Sequence, residues 1–260
     1  MTPASPGHST RVALVTGSGK RRVGWHVATA LARRGYSIAV HYHRSHDEAL
    51  QTAAQLASHG GEAQAFKADL GNEAEVTRMV AQVVDRFGRM DVLVNCAAIW
   101  ESKRLEDVRA VDVMRHFEVN ALGTFLCAQQ CGLMMVKQTD GGVIVNCGDW
   151  AEVRPYPNYA AYFPSKGAVT ALTRALAVEL ALRNPRVRVN AVLPGPVMLP
   201  ADLPEDERAE AIAGTLVKRE GSPENIAQAV MALVDNDFLT GVCLPVDGGR
   251  TIYAADHRTP

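Results

Sequence analysis

This chain has no run of about 18 consecutive apolar residues, so no membrane-spanning helix is expected. It also lacks an excess of either charge. Lys and Arg number 27 against 28 Asp and Glu, and a net charge of −1 gives no bulk attraction to nucleic acid or to a membrane surface. The opening stretch MTPASPGHST has neither a basic region nor an apolar core, so it is not expected to be a signal peptide. Residues 1–10 read as a short flexible tail. No C-x-x-C occurs, and the five cysteines (Cys96, Cys127, Cys131, Cys147 and Cys243) are odd in number. A closed disulfide framework is therefore not expected, and the pattern suits reduced thiols in the cytoplasm. Cys127 and Cys131 lie four apart in an apolar helical stretch with no histidine nearby, and they read as small buried hydrophobes. Repeats, low-complexity segments and linkers are absent too, so residues 11–260 are expected to form one domain.

What is present is an alternation. Short apolar runs at Val12–Thr16, Ser37–Tyr42, Glu62–Lys67, Val92–Asn95, Val143–Asn146, Val187–Val192 and Val242–Pro245 read as strands. Amphipathic segments such as Trp25–Arg34, Glu73–Phe87, Val119–Val136 and Ser165–Leu182 lie between them. Strands that are apolar throughout suit a parallel sheet covered on both faces. The expected fold class is therefore α/β, a single Rossmann-type doubly wound parallel sheet with helices on both faces. The acidic stretch Pro200–Glu210, followed by Ile212–Val217, reads as an insertion over one edge. Residues near 197–217, with Met198 and Leu199 among them, are expected to form a substrate lid.

Ligands of open α/β sheets bind beyond the carboxyl ends of the strands, and the informative residues cluster there. Thr16–Gly24 joins the first strand to the first helix, with Gly17 and Gly24 letting backbone approach a pyrophosphate. Lys20, Arg21 and Arg22 add positive charge. The second strand ends in His41-Tyr-His-Arg-Ser45, without the acid that would bond a ribose 2′-hydroxyl. Arg44 and Ser45, beside His43, suit a 2′-phosphate instead, so NADPH is the expected cofactor. His41, His43 and His46 lack a cysteine or carboxylate partner, and no metal is expected. Asp69-Leu70 after the third strand either caps the next helix or meets the adenine. Asn95-Cys-Ala97-Ala98 supplies small residues under a flat cofactor, and Pro194-Gly195 turns the chain toward the nicotinamide.

Tyr162 and Lys166 are four apart and share a helix face. An ammonium near a phenol favours the phenolate, so the tyrosine pKa is expected to fall from about 10 toward working pH. Such a phenol can protonate an atom that receives a hydride. Asp149 lies thirteen residues before the tyrosine. Pro164 requires the helix to start close to Tyr162.

These pieces, with Asn120, Asn190–Gly195 and Val246-Asp-Gly-Gly249, resemble the short-chain dehydrogenase/reductase family over residues 11–250. The resemblance implies nicotinamide-dependent hydride transfer, with Tyr162 as proton donor and Lys166 holding the ribose. Asn120 would organise a water-linked proton path, and two apolar helices would pair subunits into a homotetramer. The chain departs from the family pattern at three places. Gly17 to Gly24 spans seven steps rather than six, Asp149 replaces the usual serine, and Asn95-Cys-Ala-Ala98 replaces Asn-Asn-Ala-Gly. The pteridine reductases are similar in having an arginine near the last turn glycine, the HYHRS stretch, the Asp, and an aromatic residue at the place of Trp100. A pterin is flat and stacks well on tryptophan, and Asp149 suits its N–H and amino edge. Trp100 also has an alternative as a packing aromatic, and Asp149 as a turn cap. The expected function is NADPH-dependent reduction of a pterin or related flat N-heterocycle, a small-molecule substrate. The alternatives are a carbonyl reductase of a keto-acyl or sugar substrate and a non-catalytic NADP-binding sensor or structural protein.

Overall fold

The computed structural model describes residues 10–253. Apart from Thr10, the expected tail lies outside the described residues. Seven strands form one sheet: β1 (Val12–Thr16), β2 (Ser37–Tyr42), β3 (Ala63–Lys67), β4 (Val92–Asn95), β5 (Gly142–Cys147), β6 (Val187–Pro194) and β7 (Cys243–Val246). Their spatial order is β3-β2-β1-β4-β5-β6-β7, and every pairing is parallel. Parallel neighbours need long crossovers, which the helices supply. The order reverses between β1 and β4, and this opens a crevice at their carboxyl ends.

The pleat sorts the core into two layers, since successive side chains point to opposite faces. Ala13 and Val15 of β1 pack with α1 (Val23–Ala32), α2 (His46–Ala57) and α8 (Pro223–Asp235), through residues such as Leu31, Leu56 and Ile226. Val12 and Leu14 face the other way, against Met79 of α3 (Glu73–Phe87), Cys131 of α5 (Gly123–Met135) and Leu180 of α6 (Phe163–Ala181). Cys127 and Cys131 are fully buried in this second layer, and burial pushes the Cys127 thiol up to about 12.

Several boundaries differ from expectation: α1, α6, β5, β6 and β7 shift by one or two residues at their ends, and three differences have a structural reason. β3 begins one residue later, because Glu62 contributes only its carbonyl, to the Ile38 N–H. The expected helix Val119–Val136 is the second half of a longer rod. It begins as α4 (Ala110–His116), widens into a π segment at Phe117–Leu122, and continues as α5. The acidic insertion carries a helix, α7 (Glu205–Ala213), with no buried residue. Its attachment is polar: Arg208 pairs with Glu220 at 2.7 Å and donates to the Pro200 carbonyl, while Glu220 accepts from Leu199 N–H. Among the described residues no helix is long and apolar enough to cross a membrane.

Candidate active site

A cleft of about 2190 Å³ opens at the carboxyl ends of the strands. Its first wall is the turn after β1. Gly17 has φ +67°, and a Cβ there would lie 2.8 Å from Ala97 Cα. A Cβ on Gly24 would lie 2.9 Å from the Gly17 carbonyl oxygen, and one on Gly19 would lie 3.0 Å from Ala49 Cβ. The glycines therefore keep a tight cradle, and the extra step bulges outward at Lys20–Arg22, all exposed. Gly17, Arg22 and Gly24 line the cleft, as do His43, Arg44 and Ser45 after β2. Asp69 and Leu70 also line it; Asp69 Oδ1 accepts from Gly71 N–H and caps the turn, while Oδ2 lies 3.8 Å from His43 Nε2. Ala97, Pro194 and Gly195 complete this side.

His41 lines the cleft, but both of its ring nitrogens are engaged. Its Nδ1 accepts from Gly17 N–H at 3.0 Å, which leaves Nε2–H to donate to the Ala68 carbonyl at 3.1 Å. Burial holds this neutral imidazole down to about 4. Among the described residues no group of three or more His, Cys, Asp or Glu side chains is placed to hold a metal ion.

The second wall carries the candidate reacting groups. α6 starts at Phe163, so Pro164 sits in the first turn, where its missing N–H costs no hydrogen bond. Tyr162 and Lys166 then face the cleft together. The Lys166 ammonium donates to the Cys147 carbonyl at 2.8 Å, and the Tyr162 hydroxyl donates to Asp149 Oδ2 at 2.7 Å. Asp149 Oδ1 accepts from Ala151 N–H, so this side chain caps the turn while its other oxygen takes the Tyr162 hydroxyl. Although it keeps contact with the cleft, Asp149 is pushed above the usual carboxylate range by burial. The expected fall in the tyrosine pKa is overturned. Burial first, and then the Asp149 carboxylate, push Tyr162 well above its ordinary value. Lys166 is engaged elsewhere, and the nearest charge to the phenol is negative.

Asn95 and Asn120 stand behind the wall rather than on it. Asn95 donates to Asn146, which donates to Thr173 on α6. Asn120 brackets the Ile99 backbone, accepting from its N–H and donating to its carbonyl, and also donates to Ser165. The π segment swings Asn120 into that position.

Aromatic rings close the outer end. Trp100 stacks on Tyr159 with centroids 5.0 Å apart and planes 7° apart, and both line the cleft. Trp150 stacks on Tyr156 at 6.3 Å, and the Arg250 guanidinium lies 4.7 Å over the Trp150 ring. Trp100 thus packs on a neighbour and still offers a face, being 45% exposed. Arg250 was not signalled by any motif, since it lies just past the Val246–Gly249 run and reaches the cleft only through the fold.

The comparisons agree with this geometry. A family model described as Enoyl-(Acyl carrier protein) reductase matches residues 18–251. The chain belongs to the short-chain dehydrogenase/reductase family. It is 34% identical to a 3-oxoacyl-[acyl-carrier-protein] reductase of Synechocystis, over 94% of this chain and 98% of that protein. It is 31% identical to the versicolorin reductase stcU of Emericella nidulans, over 92% and 95%. The crystal structure of acetoin dehydrogenase from Enterobacter cloacae superimposes with a TM-score of 0.85 at 33% identity, covering 96% of this chain and 98% of that one. None of these three is named for a pterin. Members of this family are oxidoreductases that use nicotinamide cofactors, and the residues fit one. A Cβ would fill the Gly17 cradle, and the cleft runs unbroken from it to Lys166.

Proposed function

We propose that this protein is an NADPH-dependent reductase of a flat N-heterocycle of the pterin kind. The observation that carries the reading is the 2.7 Å hydrogen bond from Tyr162 to Asp149 beside an aromatic-lined cleft. The bound cofactor supplies a hydride. Burial raises Asp149 from its ordinary value, which favours its protonated form. Tyr162 and Asp149 together can then pass a proton to a substrate nitrogen, and Tyr162 is re-supplied through its bond to Asp149. Lys166, fixed by the Cys147 carbonyl, orients the ribose side of the cofactor. Arg44 and Ser45 bind the 2′-phosphate, and the exposed faces of Trp100 and Tyr159 offer a stacking surface. Met198, Leu199 and α7 form a lid over the substrate.

A second reading, a carbonyl reductase, is backed better by the relatives, two of which are named as reductases of an oxoacyl group and of versicolorin. A neutral Asp149 would serve it as a second hydroxyl donor to the carbonyl oxygen, in the role of the family serine. The chain is proposed to act as a homotetramer through α5 and α6, where Leu133 and Val178 are exposed.

The two readings part in one assay. Dihydrobiopterin and a panel of ketones, including an oxoacyl thioester, are offered with NADPH while the nicotinamide absorbance is followed. Turnover of dihydrobiopterin supports the first reading. Turnover of ketones with none of pterin overturns it in favour of the second, and cofactor binding without turnover of any of them would mark a non-catalytic protein.

A further inference from the structure

Neither reading uses the two thiols on the cleft floor. β4 and β5 pair in parallel with Asn95 opposite Asn146, so the next residues, Cys96 and Cys147, are neighbours across the sheet. Both pack on the same core layer and both line the cleft. Asn95 and Asn146 bond to each other on the opposite face, as the pleat requires. Adjacent parallel strands lie about 4.8 Å apart, which falls within the Cα separation a disulfide needs.

The pair is placed where it matters. Cys96 Cβ lies 3.2 Å from where a Cβ on Gly24 would sit, so it abuts the phosphate turn. The Cys147 carbonyl holds the Lys166 ammonium. The floor between these two points is the part of the cleft a nicotinamide cofactor crosses. The other thiols offer no such site: Cys127 and Cys131 are fully buried, and Cys243 lies on β7 at the sheet edge.

We propose that Cys96 and Cys147 form an oxidisable dithiol in the cofactor site, a modification site that a peroxide closes to a disulfide and a bound cofactor shields. The peroxide oxygen–oxygen bond breaks as the Cys147 thiolate attacks one oxygen, giving a sulfenic acid and one water. The Cys96 sulfur then displaces hydroxide from that sulfenic acid, and a second water leaves. Two thiols are oxidised by two electrons, and one peroxide is reduced to two waters. Cys147 is the attacking sulfur, because the neighbouring Cys96 thiol, and then the Lys166 ammonium, hold it below the ordinary thiol value, while Cys96 is raised. The resulting cross-link ties β4 to β5 and stiffens the floor under Lys166.

Hydrogen peroxide is added to the purified full-length protein, and the disulfide is located by intact mass and peptide mapping. Cofactor affinity is followed by fluorescence titration before and after, with NADPH and NADH as separate arms. The expected product has lost two hydrogens, links Cys96 to Cys147, binds cofactor more weakly, and recovers with dithiothreitol. Cofactor at about a hundred times its Kd should slow oxidation about a hundredfold, because about 1% of the sites remain open. Cys147→Ser should abolish the cross-link, and Cys96→Ser should stop oxidation at a sulfenic acid that a dimedone probe traps on Cys147. A link between other cysteines, no link at all, or a rate unaffected by either cofactor would overturn the proposal. None of these readouts depends on which substrate the enzyme reduces.

Discussion

His41 joins two pieces of the cofactor wall, the Gly17 N–H and the Ala68 carbonyl, with a single neutral ring. Because its folded pKa lies near 4 and its ordinary value is 6.5, the unfolded chain takes up the proton first as pH falls. The stability it contributes is therefore complete above pH 6.5 and is lost between there and about pH 4, by roughly 3 kcal/mol. Urea midpoints of wild type and His41→Gln, measured across that window, should converge at low pH; parallel curves would show that His41 does not titrate between the two states. Arg44 is a second residue-scale test. It gains a charge-assisted bond only with a 2′-phosphate, about 1.5–3 kcal/mol. Arg44→Asp should reverse the ratio of NADPH to NADH affinity, and an unchanged preference would place the 2′-phosphate site elsewhere.

At the scale of elements, β1, β2, β4 and α3 stand where their residues predict, because apolar runs and amphipathic spacing mark them plainly. Tyr162 and Lys166 were legible because helix spacing alone brings them together. The π segment was not, since a wide turn leaves no periodic signature, and Asn120 consequently points at Ile99. The phenol's electrostatics depart from expectation for a similar reason. Spacing places Lys166 near Tyr162, but only the fold shows that Cys147 takes the ammonium and Asp149 the hydroxyl. The Cys96–Cys147 pairing was likewise invisible, since strand register is not written in the spacing of cysteines. α7 is held by Arg208 and Glu220 rather than by a core. If α7 closes over the substrate, Arg208→Ala should raise KM several-fold, as α7 loses its tether, and leave cofactor affinity unchanged. An unchanged KM would show that α7 takes no part in closure.

For the whole molecule, the seven-stranded sheet sets the glycine turn and the candidate reacting groups at the carboxyl ends of its strands, and this frame was the most legible level. Its two layers follow from strands that are apolar on both faces. What surrounds the frame is the next question, because Leu133 of α5 and Val178 of α6 lie exposed on long helices. Light scattering should return about four times the 28.0 kDa chain mass, and Val178→Glu should lower it. A single-chain mass for the wild type would contradict the assembly.

Asp149, at the end of its bond to Tyr162, is proposed to decide which substrate the site reduces. The most direct measurement is kcat for dihydrobiopterin and for a ketone in wild type, Asp149→Ser and Tyr162→Phe, with NADPH affinity alongside. Asp149→Ser should depress pterin turnover about 10²-fold, the scale for loss of a general acid, while preserving ketone reduction and cofactor affinity. Tyr162→Phe should damage both reactions. Undiminished pterin turnover in Asp149→Ser would contradict the account and leave Asp149 as the cap of Ala151 alone.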